Sequence, residues 1–247
     1  MICMSIAGVD PSGGAGVYAD IKTFQAIGVY GTGVVTSLTA QNPYKFFSSY
    51  PIDSKYISEQ IDSVLDSYTA IEYVKTGMLY SKEIIKEVSK KIKEYELKAI
   101  VDPVMVATSG GILAKNESAE AYNKYLLPNA ILTTPNVSEA EQLTNLKIET
   151  EEDAKIASEK LSDKCDNIIT GGHLNGLNTV FTKGELKTIN QKLLKTNNLH
   201  GSGCTLSSAI TAYLALGNEL DTAIEKGLTF TYESIKNGNY GTLIAKI

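Results

Sequence analysis

The chain contains no apolar run approaching the ~20 residues of a membrane-spanning helix, which excludes a helical membrane protein. It also lacks an excess of basic residues. Lysine and arginine total 23 against 28 aspartates and glutamates, a net charge of -5, so the electrostatic footprint of a nucleic-acid-binding protein is missing. Cysteine is scarce: Cys3, Cys165 and Cys204 are odd in number and far apart. They make no disulfide framework, and a reducing cytoplasm is the expected setting. His173 and His200 are the only histidines, too few for a metal centre by themselves. Neither a Walker A loop nor a G-x-G-x-x-G dinucleotide fingerprint occurs. No leader is expected ahead of the first apolar strand at 2–7, and there is no internal repeat or low-complexity tail.

What is there is an ordinary globular composition, 43% hydrophobic over 247 residues with 20 Gly and 6 Pro, ample for a sizeable core. Short β-rich runs alternate with helical patterns. The expected strands are 2–7, 34–39, 72–75, 99–101, 130–133, 167–170 and 178–182. The expected helices are 15–27, 54–67, 82–94, 119–126, 138–144, 151–161, 202–216 and 220–236. This alternation predicts an α/β fold: a mostly parallel sheet covered on both faces, a three-layer α-β-α sandwich. No Pro/Ser/Gly-rich linker divides the sequence, so residues 1–247 are expected to form one domain.

Ligands of open parallel sheets collect beyond the carboxyl ends of the strands. Distinctive turns stand just there. Gly8-Val-Asp-Pro-Ser-Gly-Gly-Ala-Gly16 follows the first strand, Ala40-Gln-Asn-Pro43 the second and Gly77-Met-Leu79 the third. Asp102-Pro-Val-Met105, Pro135-Asn-Val-Ser-Glu139 and Gly171-Gly-His173 follow the next three. Chain reversal alone does not require so many special turns on one rim, and that rim is the expected site.

The most informative stretch is Leu199-His-Gly-Ser-Gly-Cys-Thr-Leu-Ser-Ser-Ala-Ile210. Gly201 and Gly203 flank Ser202 at the start of a helix, where free backbone N–H groups and the helix dipole favour an anion. Cys204 lies in the first turn, and a thiol there is expected to have a lowered pKa. It suits a proton acceptor for a substrate hydroxyl; the plainer reading is an inert, small buried residue. The glycines of the 8–16 loop allow close backbone approach to a ligand, with Asp20 reaching a polar group on it, although a tight strand-to-helix turn explains the same pattern. Gln41 presents an amide donor and acceptor to a heteroaromatic ring. Asp102, Asn136 and Glu139 offer the hard oxygens that suit Mg²⁺. Asn136-x-x-Glu139 also reads as a helix capping box, and the two readings are compatible. Neither histidine is favoured as a general base, and Cys3 and Cys165 read as structural.

In this order the segments resemble the hydroxymethylpyrimidine/phosphomethylpyrimidine kinases of thiamine biosynthesis, within the ribokinase-like fold. The resemblance rests on the 8–24 segment, Thr39-Ala-Gln-Asn42, Lys75-Thr-Gly-Met-Leu79, Val101-Asp-Pro-Val-Met105, Thr134-Pro-Asn-Val-Ser-Glu-Ala140 and His200-Gly-Ser-Gly-Cys-Thr-Leu-Ser-Ser208, and runs from Ile6 to about Lys236. It implies a homodimeric kinase using ATP and Mg²⁺. Such an enzyme phosphorylates 4-amino-5-hydroxymethyl-2-methylpyrimidine and then its monophosphate. Cys204 stands where most ribokinase-like enzymes have an aspartate base. Gly201, Ser202 and Gly203 stand in the anion hole. Gln41 is implied to bond the pyrimidine, with Gly8, Asp20, Thr39 and Met78 lining its pocket. Asp102, Asn136 and Glu139 fall in the magnesium and phosphate region, and Thr170, Gly172 and Ser202 on the ATP side.

The chain departs from the family at Thr170, where relatives have a lysine expected to touch ATP phosphate; Lys183 and Lys195 are the candidates to compensate for it. No added thiamine-phosphate synthase domain is expected, and the family's tail after the last helix is expected to be reduced to residues 240–247. Residues 107–116, with Gly110 and Gly111, are the expected mobile flap. They carry no cysteine, which favours the pyrimidine kinases over the related pyridoxal kinases. A non-catalytic pyrimidine sensor and a generic sugar kinase are weaker alternatives, the latter because the base position holds Cys204.

Overall fold

The computed structural model describes residues 1–105, 117–172 and 174–246; the expected flap and His173 lie outside the described residues. Nine strands form one sheet in the order β3-β2-β1-β4-β5-β6-β7-β8-β9. They are β1 (Ile2–Val9), β2 (Tyr30–Asn42), β3 (Lys45–Pro51), β4 (Tyr73–Thr76), β5 (Lys98–Val101), β6 (Ala130–Thr133), β7 (Asp166–Ile169), β8 (Leu177–Thr182) and β9 (Glu185–Asn190). The run β2-β1-β4-β5-β6-β7 is parallel, while β3, β8 and β9 pair antiparallel at its two ends.

The helices are α1 (Gly16–Ile27), α2 (Ser54–Ser67), α3 (Lys82–Glu94), α4 (Ser118–Ala121), α5 (Val137–Thr144), α6 (Glu151–Ser162), α7 (Ser202–Ala215) and α8 (Leu220–Lys236). The helix expected over 119–126 is instead α4 followed by a π-helical turn at Tyr122–Leu126 and a 3₁₀ turn at Leu127–Asn129. Pro128 in that last turn ends the helical run, since it has no N–H to continue the ladder.

Side chains alternate across each strand, and the two cores follow from that period. Ala99 and Val101 face one side, with Ile57 and Ile61 of α2, Ile85 and Val88 of α3 and Ala140 of α5. Ile100 faces the other, with Leu206 and Ile210 of α7 and Ile224 of α8. Phe24 of α1 completes that second layer with Ala209 and Ala212. The sheet is thus covered on both faces, as the sequence pattern predicts. The carboxyl ends of β1, β4, β5, β6 and β7 share one rim, and the loops after them converge there. No helix among the described residues is long and apolar enough to cross a membrane.

The two strands missing from the sequence reading are β3 and β9, both second strands of hairpins at the sheet ends. β9 follows β8 through Lys183 and Gly184, which both have positive φ, 53° and 82°. That is the geometry of a two-residue hairpin turn.

Candidate active site

A cavity of about 170 Å³ opens at this rim. Its wall includes Gly8, Thr39, Gln41 and Met78 on one side and Gly201, Ser202, Gly203 and Cys204 on another. Asp102, Asn136, Glu139 and Thr170 close the remainder. Most of the expected site residues are therefore brought together, although the 201–204 segment is far from the others in sequence.

The anion cradle is built by local backbone conformation. Gly201 caps α7 with φ of 90°, a left-handed value that suits glycine. The N–H of Ser202 donates to Leu199 O at 3.1 Å, and that of Thr205 to Gly201 O at 2.9 Å. Between them, the N–H groups of Gly203 and Cys204 have no acceptor among the described residues. They are the unpaired donors of a helix start. Ser202 itself offers the cradle no free amide.

Cys204 departs from expectation. The helix start does not lower its pKa; burial pushes the thiol up to about 12. Lys75 acts in the opposite sense, and the N–H of Gly16 donates to the sulfur, but both are outweighed. The helix-dipole argument fails because it omits the desolvation of the thiol and the carboxylates of Asp102 and Asp20 nearby, all of which disfavour the thiolate.

Asp20 also departs from expectation: it is not on the cavity wall but fully buried behind it. β1 and β4 pair in register with Ser5 opposite Lys75. Lys75 Nζ lies 3.0 Å from both oxygens of Asp20 and 3.8 Å from Asp102 Oδ2. Ser208 Oγ donates to Asp20 at 2.8 Å and Ser5 Oγ at 2.5 Å. Burial alone would lower the pKa of Lys75, but Asp20, Cys204 and Asp102 hold it above the ordinary lysine value. Asp20 therefore holds a buried cation beneath the site rather than a ligand within it.

Asp102 and Glu139 form the acidic part of the wall. Burial raises both pKa values, and each carboxyl feels the other or a neighbouring acid; Glu139 reaches about 8. The capping box is real: Asn136 Oδ1 accepts from the Glu139 N–H, and Glu139 Oε2 from the Asn136 N–H, both at 3.0 Å. Among the described residues no cluster of three His, Cys, Asp or Glu side chains surrounds a metal position. Two buried carboxyls whose charges disfavour each other nevertheless suit a cation that keeps most of its water, as Mg²⁺ does.

On the opposite wall Gln41 Oε1 is buried and has no hydrogen-bond partner among the described residues. Thr39 spends its hydroxyl on Val9 O at 2.9 Å. Gly8 lets Met78 approach: a Cβ there would lie 2.6 Å from Ser37 Oγ and 3.2 Å from Met78 Sδ. Gly172, by contrast, is exposed and not part of the wall.

Thr170 occupies the place expected of a phosphate-binding lysine, and the chain has no arginine, all 23 of its cations being lysines. Lys183 does not replace it. Its N–H meets Asp166 at the amino end of β7 and its Nζ pairs with Glu219 at 3.0 Å. Thr170 follows the carboxyl end of the same strand, about 13 Å away at strand rise. Lys195 is on the correct rim. It lies between Gln191, whose N–H donates to Gly176 O, and Asn198, whose Nδ2 donates to Gly238 O.

Ala15, Gly16, Val104, Thr134 and His200 also line the wall and are not among the residues expected from sequence; His200 is the one with a titratable side chain. Its position beside Gly201 was the available signal.

Unpaired helix-start amides, a buried acidic pair and a cavity at the carboxyl rim of a parallel sheet are features that suit a phosphotransferase. The chain belongs to the phosphomethylpyrimidine kinase family, whose model matches residues 10–244. It is 38% identical over 241 residues to the hydroxymethylpyrimidine/phosphomethylpyrimidine kinase of Bacillus subtilis (strain 168), covering 95% of this chain and 89% of that protein. Its fold matches the crystal structure of phosphomethylpyrimidine kinase from Clostridium difficile 630 with a TM-score of 0.84 and 39% identity, over 95% of this chain and 99% of the other. It also matches the Bacillus subtilis pyridoxal kinase solved as an ADP complex, with a TM-score of 0.90, 34% identity, and coverage of 99% and 96%.

Proposed function

We propose that this protein uses Mg²⁺ and ATP to phosphorylate the hydroxymethyl group of 4-amino-5-hydroxymethyl-2-methylpyrimidine, and then the resulting monophosphate, within one domain spanning residues 1–247. The observation that carries the substrate assignment is the unpartnered, buried Gln41 Oε1 on the cavity wall. A buried acceptor left unpaired is costly, and an exocyclic amine on a flat ring satisfies it. Met78 and Gly8 provide the apolar, close-approach surface against that ring.

Phosphoryl transfer depends mainly on positioning and charge stabilisation. The amides of Gly203 and Cys204 receive the charge that develops on the transferring group. Asp102 and Glu139 are the residues that would hold Mg²⁺, which would supply neutralisation of phosphate charge. The Cys204 thiol is protonated in the free protein, so it must release that proton to solvent before it can accept the one from the substrate hydroxyl. Lys75 lies behind it as the cation that favours the thiolate. In the second reaction the attacking group is already an anion and a base matters less.

The finer setting is a cytoplasmic homodimer. Tyr44, Phe47 and Tyr50 are exposed on the β2–β3 hairpin, an apolar surface that a second copy would cover. An assay of ADP release with the pyrimidine alcohol, its monophosphate, pyridoxal and no acceptor in parallel tests the assignment. Turnover of both pyrimidines and little of pyridoxal supports it; preference for pyridoxal overturns it.

A further inference from the structure

Two glycine loops 190 residues apart in sequence are pressed together at the cavity. Gly201 faces the 8–16 loop so closely that a Cβ on it would lie 1.8 Å from Gly14 O. A Cβ on Gly14 would lie 2.7 Å from His200 Cδ2 and 2.6 Å from Thr242 Oγ1. Backbone packing alone supplies little to hold two such flexible segments. Three side chains supply the rest.

Asp10 is 1% exposed and His200 4%. His200 Nε2 and Asp10 Oδ2 are 2.7 Å apart. Asp10 also accepts from the N–H and hydroxyl of Ser12 and, at 2.9 Å, from the N–H of Ala15. One carboxylate thus shapes its own loop and reaches across to the other. Burial disfavours the ionised carboxyl, but the bonds from His200 and Ser12 outweigh it and hold its pKa below the ordinary value. An ionised carboxylate only accepts, so Nε2 carries the proton. Thr242 closes the junction: its hydroxyl lies 3.0 Å from His200 O and 3.4 Å from Gly14 O. Asp10 and Thr242 do not line the cavity.

We propose that Asp10 and His200, backed by Thr242, clamp the two glycine loops into one rigid anion cradle and are positioning residues for phosphoryl transfer. The proposal rests on the kinase reading of the site. The Gly203 and Cys204 amides stabilise charge only where that charge develops, and a misplacement of about 1 Å costs on the order of 100-fold in rate. Of the ring-facing residues, Gln41 lies on β2 and Met78 after β4, both outside the clamp, and Gly8 is held within β1 by its pairing with β2, ahead of Asp10.

The test compares His200→Leu with His200→Gln, which keeps an N–H donor near the place of Nε2. His200→Leu is expected to lower kcat about 100-fold for both pyrimidine acceptors while pyrimidine KM changes by less than about twofold. His200→Gln is expected to recover most of the loss. In His200→Leu, amide hydrogen exchange in residues 8–16 should rise about tenfold while β4 and β5 stay protected. Equal losses in the two variants, a loss carried by KM, or unchanged exchange in 8–16 overturns the clamp. If His200→Leu does not fold, Asp10→Asn serves for the same readouts. A wild-type protein that phosphorylates neither pyrimidine refutes the kinase reading alone, and the exchange result still decides the clamp.

Discussion

Lys75 Nζ lies 3.0 Å from Asp20 Oδ1, and neither side chain has any exposure. The pair sits under the cavity and joins β4 to α1, while Ser208 ties it to α7. A charge buried at this depth is tolerated only with its partner in place. Lys75→Met leaves Asp20 uncompensated and is expected to lower stability by about 3–5 kcal/mol. Adding Asp20→Leu should recover part of that loss. Urea unfolding of the single and double variants checks it, and a single-variant shift under about 1 kcal/mol contradicts it.

The Cys204 thiol is expected to react slowly with iodoacetamide at neutral pH, because burial raises its pKa to about 12. Only the thiolate is alkylated, so a raised pKa means a rate that climbs about tenfold per pH unit through pH 10 without a plateau. Peptide mass spectrometry separates Cys204 from Cys3 and Cys165. A rate that levels off by about pH 10 would show an ordinary thiol.

Cys204→Ala should damage the first phosphorylation more than the second. An alcohol must lose its proton, and removal of a general base costs about 100-fold or more. A phosphate nucleophile is already ionised, and its loss should stay under about tenfold. Separate kcat determinations with the alcohol and the monophosphate decide the matter; equal losses would remove Cys204 from the proton's path.

Gly201→Ala and Gly203→Ala should behave oppositely. The first needs a left-handed backbone and drives a Cβ to 1.8 Å from Gly14 O. The second meets only Asp102 Oδ2, at 3.9 Å. Thermal unfolding is expected to fall clearly for Gly201→Ala and to stay close to wild type for Gly203→Ala. Similar melting temperatures would contradict the close packing of the two loops.

Much of this site was legible in sequence because its parts are turns. A turn after each parallel strand announces the rim, and glycine spacing marks the cradle. Asp20 was misplaced because its role depends on Lys75, 55 residues away and on another strand. For Cys204 the sequence points to a lowered pKa and the structure to a raised one, because a helix start is visible locally and burial is not. His200 was passed over because a lone histidine carries no pattern until Asp10 is brought against it. β9 carried a local signal in Lys183-Gly184, but its exposed, alternating residues are too few to stand out from loop.

The most direct measurement is the stoichiometry of ADP formed from limiting 4-amino-5-hydroxymethyl-2-methylpyrimidine with excess Mg-ATP, with products separated by chromatography. The account predicts two ADP per pyrimidine, with the monophosphate rising first and the pyrophosphate replacing it. Reaction that halts at one ADP, or no ADP above the acceptor-free control, would contradict it.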